Sequence, residues 1–421
     1  MTQPGLVRGL GVTDAVVIGL GSMVGAGVFA VWAPAARAAG DALLAGLVIA
    51  AVVAYCNAAS SAQLAAVYPV SGGAYVYGRE RLSPTAGFLA GSAFVIGKTA
   101  SCAAMALTFA TYVIPDPGWL RRGVALLAVV ALAAVNYRGI TRTARLTRIL
   151  VTCSLIVLAL VLVLLLRSSS GHDLPSLYPA GTSVYGVLQA AGLLFFAFAG
   201  YARIATMGEE VRDPARTIPR AVSIALVIAM GIYLVIGLAL LRAVGAPGLA
   251  ASAAPLATAV TAVDAAWAVP VVRIGAALAS LGALLALIAG IGRTTLAMAR
   301  EGDLPKTLAA VHPRFHVPHR AEVTLAVIVS ALVLTTDLRT AIGFSSFGVL
   351  LYYAVANAAA FTQPRDQRRW PRAVSVLGLL GCIALAFTLP LSSAIAAAAV
   401  LVTALILRAA LRSGRAGSAR S

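Results

Sequence analysis

Charge is scarce in this chain: 11% of its 421 residues are Asp, Glu, Lys or Arg, and only 14 of those are acidic. Soluble domains carry about a quarter charged residues, so there is too little polar surface here to coat one large globule, which excludes a cytosolic enzyme. Lysine is nearly missing. Lys98 and Lys306 stand against 30 arginines, a bias that, with the high alanine content, reads as a coding preference rather than chemistry. The four cysteines, Cys56, Cys102, Cys153 and Cys382, all fall in apolar stretches, where they act as small buried hydrophobes, and neither a disulfide nor a metal site is expected. The four histidines are expected in loops. His312 and His316 have the i, i+4 spacing of a helical metal pair, but Pro313 intervenes and no third ligand is evident. A P-loop is absent too, which excludes ATP as the energy source, and no nucleophile, base or cofactor constellation gathers in any span or loop. No cofactor is expected.

Apolar residues fill the space left by charge, at 61% of the chain and a mean hydropathy of +0.94. A membrane-spanning helix needs about 20 apolar residues. Twelve stretches qualify, at 12–39, 42–66, 85–113, 120–136, 146–166, 183–207, 220–241, 269–299, 321–336, 340–362, 373–389 and 392–411. The chain therefore reads as one polytopic all-α membrane domain. The first ten residues carry one Arg and lead into a glycine-broken apolar segment without a cleavage signature, so the first helix is expected to be retained.

With the N-terminus inside, 22 basic residues fall in loops and ends on that side, from Arg8 to Arg420, against six on the other: Arg37, Arg121, Arg122, Arg167, Arg242 and Arg339. That excess places both termini in the cytoplasm and makes the cell membrane the expected location. It also explains the net charge of +18 through contact with anionic headgroups of the lipid bilayer, and no basic stripe with interleaved aromatics points to nucleic acid.

Two spans are interrupted at matching places. Span 1 carries Gly19, Gly21, Gly25 and Gly27 near its middle, and glycine costs up to about 1 kcal/mol per helix position relative to alanine. Span 6, five spans later, reads Phe195-Phe-Ala-Phe-Ala-Gly-Tyr201. Paired interruptions in two halves are a pointer to a transporter binding site. Freed backbone groups survive in a membrane only where they face a cavity or ligand. Half-helix N-termini suit a carboxylate, and half-helix C-termini suit an ammonium, so a zwitterion fits both. For Gly21-x-x-x-Gly25 taken alone, a small-residue packing face is the simpler reading.

Four motifs carry a resemblance. Gly21-Ser-Met-Val-Gly-Ala-Gly-Val-Phe29 is similar to the first-helix signature of the amino acid/polyamine/organocation (APC) transporter superfamily. Pro69-Val-Ser-Gly-Gly-Ala-Tyr-Val-Tyr77 followed by Gly87-Phe-Leu-Ala-Gly91 resembles its loop between helices 2 and 3. Phe195 to Tyr201 with Gly208-Glu-Glu-Val-Arg-Asp-Pro-Ala-Arg-Thr-Ile-Pro-Arg220 resembles helix 6 and its following loop, and Ala299-Arg-Glu-Gly-Asp-Leu-Pro305 the segment after helix 8. The resemblance implies an amino acid permease with a leucine-transporter-like fold of five plus five inverted helices: 12–166 as the first repeat, 183–362 as the second, and 373–411 as two added helices. It implies alternating access around a substrate held by helices 1 and 6. By position, Met23, Val24, Gly25, Ala26 and Gly27 would meet the substrate's carboxylate and amine through main-chain atoms. Phe196, Ala197, Phe198 and Ala199 would supply carbonyls and part of the pocket, with an aromatic as lid toward the outside.

Two charges inside the membrane depart from the family pattern. Lys98 lies about 18 Å into span 3, near mid-bilayer, where an isolated Lys costs at least about 2.5 to 3.5 kcal/mol, so it should face the bundle interior. One reading is that it supplies the charge that sodium supplies in relatives; in some members a Lys does so from helix 5, but helix 5 here, Leu146 to Leu166, has none. The other is a structural Lys satisfied by carbonyls and hydroxyls such as Thr99 and Ser101. Arg203 stands where many relatives carry an acidic residue, and is read either as a gate or packing partner of Glu209, Glu210 or Asp303, or as a pocket residue that disfavours cationic substrates. Helix 8 offers no hydroxyl from Leu281 to Ile291, so sodium coupling is not expected, and proton-linked symport or exchange of a small neutral amino acid is. The alternatives are an organocation, polyamine or ethanolamine carrier on the same fold, and a transporter-like sensor; the latter would need an appended domain, and nine residues follow Arg412.

Overall fold

The computed structural model describes residues 10–25, 27–69, 72–138, 140–167, 172, 182–201, 204, 211–315 and 317–418. Among them the chain is helical almost throughout, with no strand and one isolated bridge between Leu10 and Val211. Its helices are α1 (Val12–Met23), α2 (Gly27–Ala30), α3 (Trp32–Ala39), α4 (Leu43–Val67), α5 (Ala74–Arg81), α6 (Pro84–Val113), α7 (Trp119–Tyr137), α8 (Ile140–Arg167) and α9 (Val184–Phe198). They continue as α10 (Pro214–Ala251), α11 (Pro255–Ala262), α12 (Val269–Arg300), α13 (His319–Thr335), α14 (Leu338–Phe361), α15 (Arg372–Thr388) and α16 (Leu391–Ser418). Among the described residues ten helical segments are long and apolar enough to cross a membrane, and α15 is a shorter apolar helix. The chain is a multi-pass membrane protein.

Several helices start for a local reason. Ser83, Ser183 and Asp337 cap α6, α9 and α14 by accepting the N–H of Ala86, Gly186 and Thr340. Pro84 and Pro255 sit in the first turn of α6 and α11, where no N–H is needed. Within the spans, hydroxyls bond back to their own helix, as Thr99 does to Val95 O and Thr108 to Ala104 O, because lipid offers them no other acceptor.

The helices sort into an inner set and an outer set. About three quarters of the most apolar windows of α6, α9 and α14 lie buried within the protein, against a third or less for α7, α8 and α16. The outer set presents Leu127, Ile156, Leu391 and Ile406 outward. In water such a surface would be an aggregation site, whereas lipid tails match it.

Candidate functional site

The first span opens where its glycines are densest. α1 closes with the N–H of Val24 donating to Leu20 O at 2.7 Å, and helix resumes at Gly27, whose carbonyl accepts from Val31. The sixth span loosens beside it: α9 ends at Phe198, and a 3-10 turn follows over Ala199–Tyr201. The two loosened segments touch through main chain. A Cβ on Gly27 would stand 2.9 Å from Ala197 Cα, and one on Gly200 would collide with Ser22 O. Only a residue without a side chain allows that approach. The far wall is α12, where Ala283 and the Ala279 carbonyl lie 3.4 and 4.0 Å from where a Gly25 Cβ would be.

Two polar side chains hold this junction. The Tyr233 hydroxyl, from α10, is 2.6 Å from Met23 O and 3.0 Å from Ala197 O, so its one proton is shared between a carbonyl of each loosened segment. Lys98, from α6, is buried and donates from Nζ to Ala199 O at 3.3 Å. The hydroxyls named as alternative partners for Lys98 are engaged elsewhere, Thr99 with Val95 O and Ser101 with Gly97 O and with Ser345 Oγ of α14 at 2.6 Å. An intramembrane ammonium is thus aimed at the carbonyl end of the second opening.

Aromatic rings close the surroundings. Phe198 meets Tyr233 edge-on at 4.9 Å, Tyr201 stacks on Tyr353 of α14 at 5.0 Å, and Phe195 meets Tyr353 edge-on. Trp32 donates to Val28 O and Tyr112 to Phe29 O, fixing the restarted helix. Met23, Val24, Gly25, Gly27, Phe196, Ala197, Phe198 and Ala199 are all buried around the junction with Lys98. Ala26, Arg203 and Glu209 lie outside the described residues. Asp303, one of the partners offered for Arg203, binds Arg79 and Arg408. Sequence reasoning missed Tyr233, Ser345 and Tyr353. The signal for Tyr233 was an isolated phenol in an otherwise aliphatic span, Met230-Gly-Ile-Tyr-Leu234.

A family model described as amino acid permease matches residues 10–409. The chain belongs to the amino acid permease family. It is 58% identical, over 94% of its length and 89% of the relative's, to an uncharacterized transporter of Mycobacterium tuberculosis. It is similar at 24% identity to the branched-chain amino acid permease BcaP of Bacillus subtilis, covering 90% of this chain and 85% of that one. At 28% identity it resembles the chloroplastic cationic amino acid transporter 7 of Arabidopsis thaliana, over 89% and 69%. The permease family and these relatives are transporters rather than enzymes, and amino acids are the substrates the family implies.

Proposed function

We propose that this permease is a secondary active transporter of small neutral amino acids in the cell membrane. It works by alternating access over a five-plus-five inverted repeat with both termini cytoplasmic. It is independent of sodium and either proton-linked or an exchanger. The observation that supports the reading is Lys98 Nζ donating to Ala199 O, beside two opened helices whose ends would suit an ammonium and a carboxylate. A fixed cation at the site supplies charge without a bound metal and repels a substrate with a second positive group, which favours neutral side chains over the polyamine or organocation alternative. The name of the Arabidopsis relative favours a second reading, a cationic amino acid, and Lys98 weighs against it.

Uptake into liposomes holding the purified protein tests this, with labelled amino acids and amines under imposed proton or sodium gradients. Neutral amino acids should enter without stimulation by sodium. Faster uptake in a sodium gradient, or arginine or a polyamine outrunning every neutral amino acid, would overturn the reading. A requirement for internal substrate with indifference to the proton gradient would assign exchange.

A further inference from the structure

The outermost helix meets the ends of α12 and α6 at a buried cluster of ion pairs. Asp303 follows α12 after a turn in which Gly302 takes a positive φ of 75°, and its side chain is almost fully buried. Two guanidinium groups meet there. Arg408 of α16 donates from Nε to Asp303 Oδ1 at 2.9 Å, with Nη2 in ion-pair contact 2.9 Å from the same oxygen, and Arg79 of α5 donates to Oδ2 at 3.0 Å. Tyr75 donates its hydroxyl to Oδ2 at 2.9 Å, and burial, with the Asp303 carboxylate beside it, pushes that hydroxyl above its usual range, so it stays a donor. Arg408 also donates to Pro84 O at 2.9 Å, at the start of α6, and lies 4.5 Å over the Phe88 ring. Arg79 reaches Glu301 at 3.3 Å. Around the ion pairs, Tyr75, Phe88 and Met298 form a small apolar cluster against Ala404 and Leu405 of α16.

Helix α16 is otherwise the least enclosed span, with about a fifth of its apolar window buried, yet Arg408 on it is 6% exposed. A buried guanidinium needs a partner, and Arg408 finds both its carboxylate and its carbonyl on the ends of α12 and α6. Those two helices carry the walls of the junction, Lys98 on α6 and Ala279 and Ala283 on α12.

We propose that Arg408 and Asp303 are positioning residues, through which α16 straps together the ends of α6 and α12 and keeps the Lys98 site closed on that side. The strap rests on the transport reading only for its purpose: opening of the site is what transport would use. Its chemistry is asymmetric. With Arg408 gone, Asp303 keeps Arg79 and Tyr75, whereas with Asp303 neutralised two guanidinium groups lose their shared carboxylate.

Cys102 is a native probe, fully buried and one turn along α6 from Lys98. In the full-length chain with Cys56, Cys153 and Cys382 changed to Ala, purified in detergent, the rate of Cys102 alkylation by N-ethylmaleimide reads opening whether or not any amino acid is transported. Arg408→Gln should raise that rate about tenfold, Asp303→Asn at least as much, and Arg408→Lys, which keeps the cation, less than threefold. Leu405→Ala, which loosens the packing of α16 without touching the ion pairs, should leave it within twofold. Gel filtration checks that each variant is folded, and Asp303→Asn serves if Arg408→Gln is not. A folded Arg408→Gln or Asp303→Asn alkylated at the parent rate, or Leu405→Ala opening the site as much as Arg408→Gln, would overturn the strap. Failure of every solute in the liposome panel, with these rates intact, would count against the transport reading alone.

Discussion

Helix α6 and helix α8 are both membrane-length, yet 78% of the apolar window of α6 is buried in the protein and only 33% of that of α8. The more apolar of the two is the one outside. In a soluble protein the order would be reversed, because burial removes apolar surface from water. In lipid the tails are as apolar as leucine, so the plain aliphatic helix loses nothing by facing out. The helix carrying Lys98, Ser101 and small residues faces in, where Lys98 reaches Ala199 O and Ser101, besides Gly97 O of its own helix, reaches Ser345. In this pair the less apolar helix is the one at the junction, and function should be sensitive to small changes on α6, and on α9 and α10 that meet it there, and tolerant of larger ones on α8.

The contrast would be broken most visibly at the glycine contacts. Gly27→Val places branched carbon within 3 Å of Ala197 Cα, a backbone atom that cannot turn aside. Uptake into liposomes should fall more than 100-fold, or the protein should fail to elute as a single species on gel filtration; uptake near the parent rate would mean that the two openings are not packed as described. Next in size is Lys98→Met, which keeps most of the bulk and removes the charge. Substrate binding should fall by about tenfold or more at unchanged expression, measured by radioligand binding to purified protein, and full uptake by this variant would remove Lys98 from the site.

The outer architecture was largely legible from hydropathy, and the junction only partly. Over most of their described residues the apolar stretches fall on helices, because long aliphatic runs have few alternatives in a membrane, though ten helical segments rather than twelve are long and apolar enough to span one among the described residues. Boundaries slipped where charge hid helix. α8 starts at Ile140 rather than near 146, since Arg142, Arg145 and Arg148 lower hydropathy while arginine is a good helix former. α10 starts at Pro214, with Asp213 in the cap position, and runs to Ala251 across a kink at Gly245, so it is far longer than its expected 220–241. The small helices α5 and α11 were missed, being too short and mixed to show a period. At the junction, glycine density marked both openings, but the bonds that join them did not show. Neither Tyr233 reaching Met23 and Ala197, nor Lys98 reaching Ala199, follows from spacing along one helix; each is a contact between residues 36 to 210 positions apart.

Tyr233→Phe sharpens the comparison at intermediate size. It deletes one hydroxyl that serves Met23 O and Ala197 O and leaves the ring against Phe198. Losing a buried hydrogen bond costs on the order of 1 to 3 kcal/mol, and part of it is recovered when substrate occupies the freed carbonyls. The maximal uptake rate should drop by about five- to twentyfold while the protein elutes normally, and a rate equal to the parent's would show that the bridge is idle.

The smallest effect belongs to the outer surface, and it carries a sign. Gly231 lies on the exposed side of α10, one turn or less from Tyr233, and a Cβ there meets nothing within 4 Å. Alanine in place of a helical glycine favours the helix by about 1 kcal/mol or less and adds one methyl to a surface already apolar. Gly231→Ala should thus leave uptake within twofold and raise the thermal midpoint slightly, while Tyr233→Phe, two residues along the same helix, cuts transport. Ile156→Ala on α8 tests the same face by removal: in water-facing packing the loss of a large side chain is felt, but this one is 64% exposed to lipid and its absence should cost almost nothing in uptake or thermal midpoint. A marked loss from either variant would place protein, not lipid, against that side of the bundle.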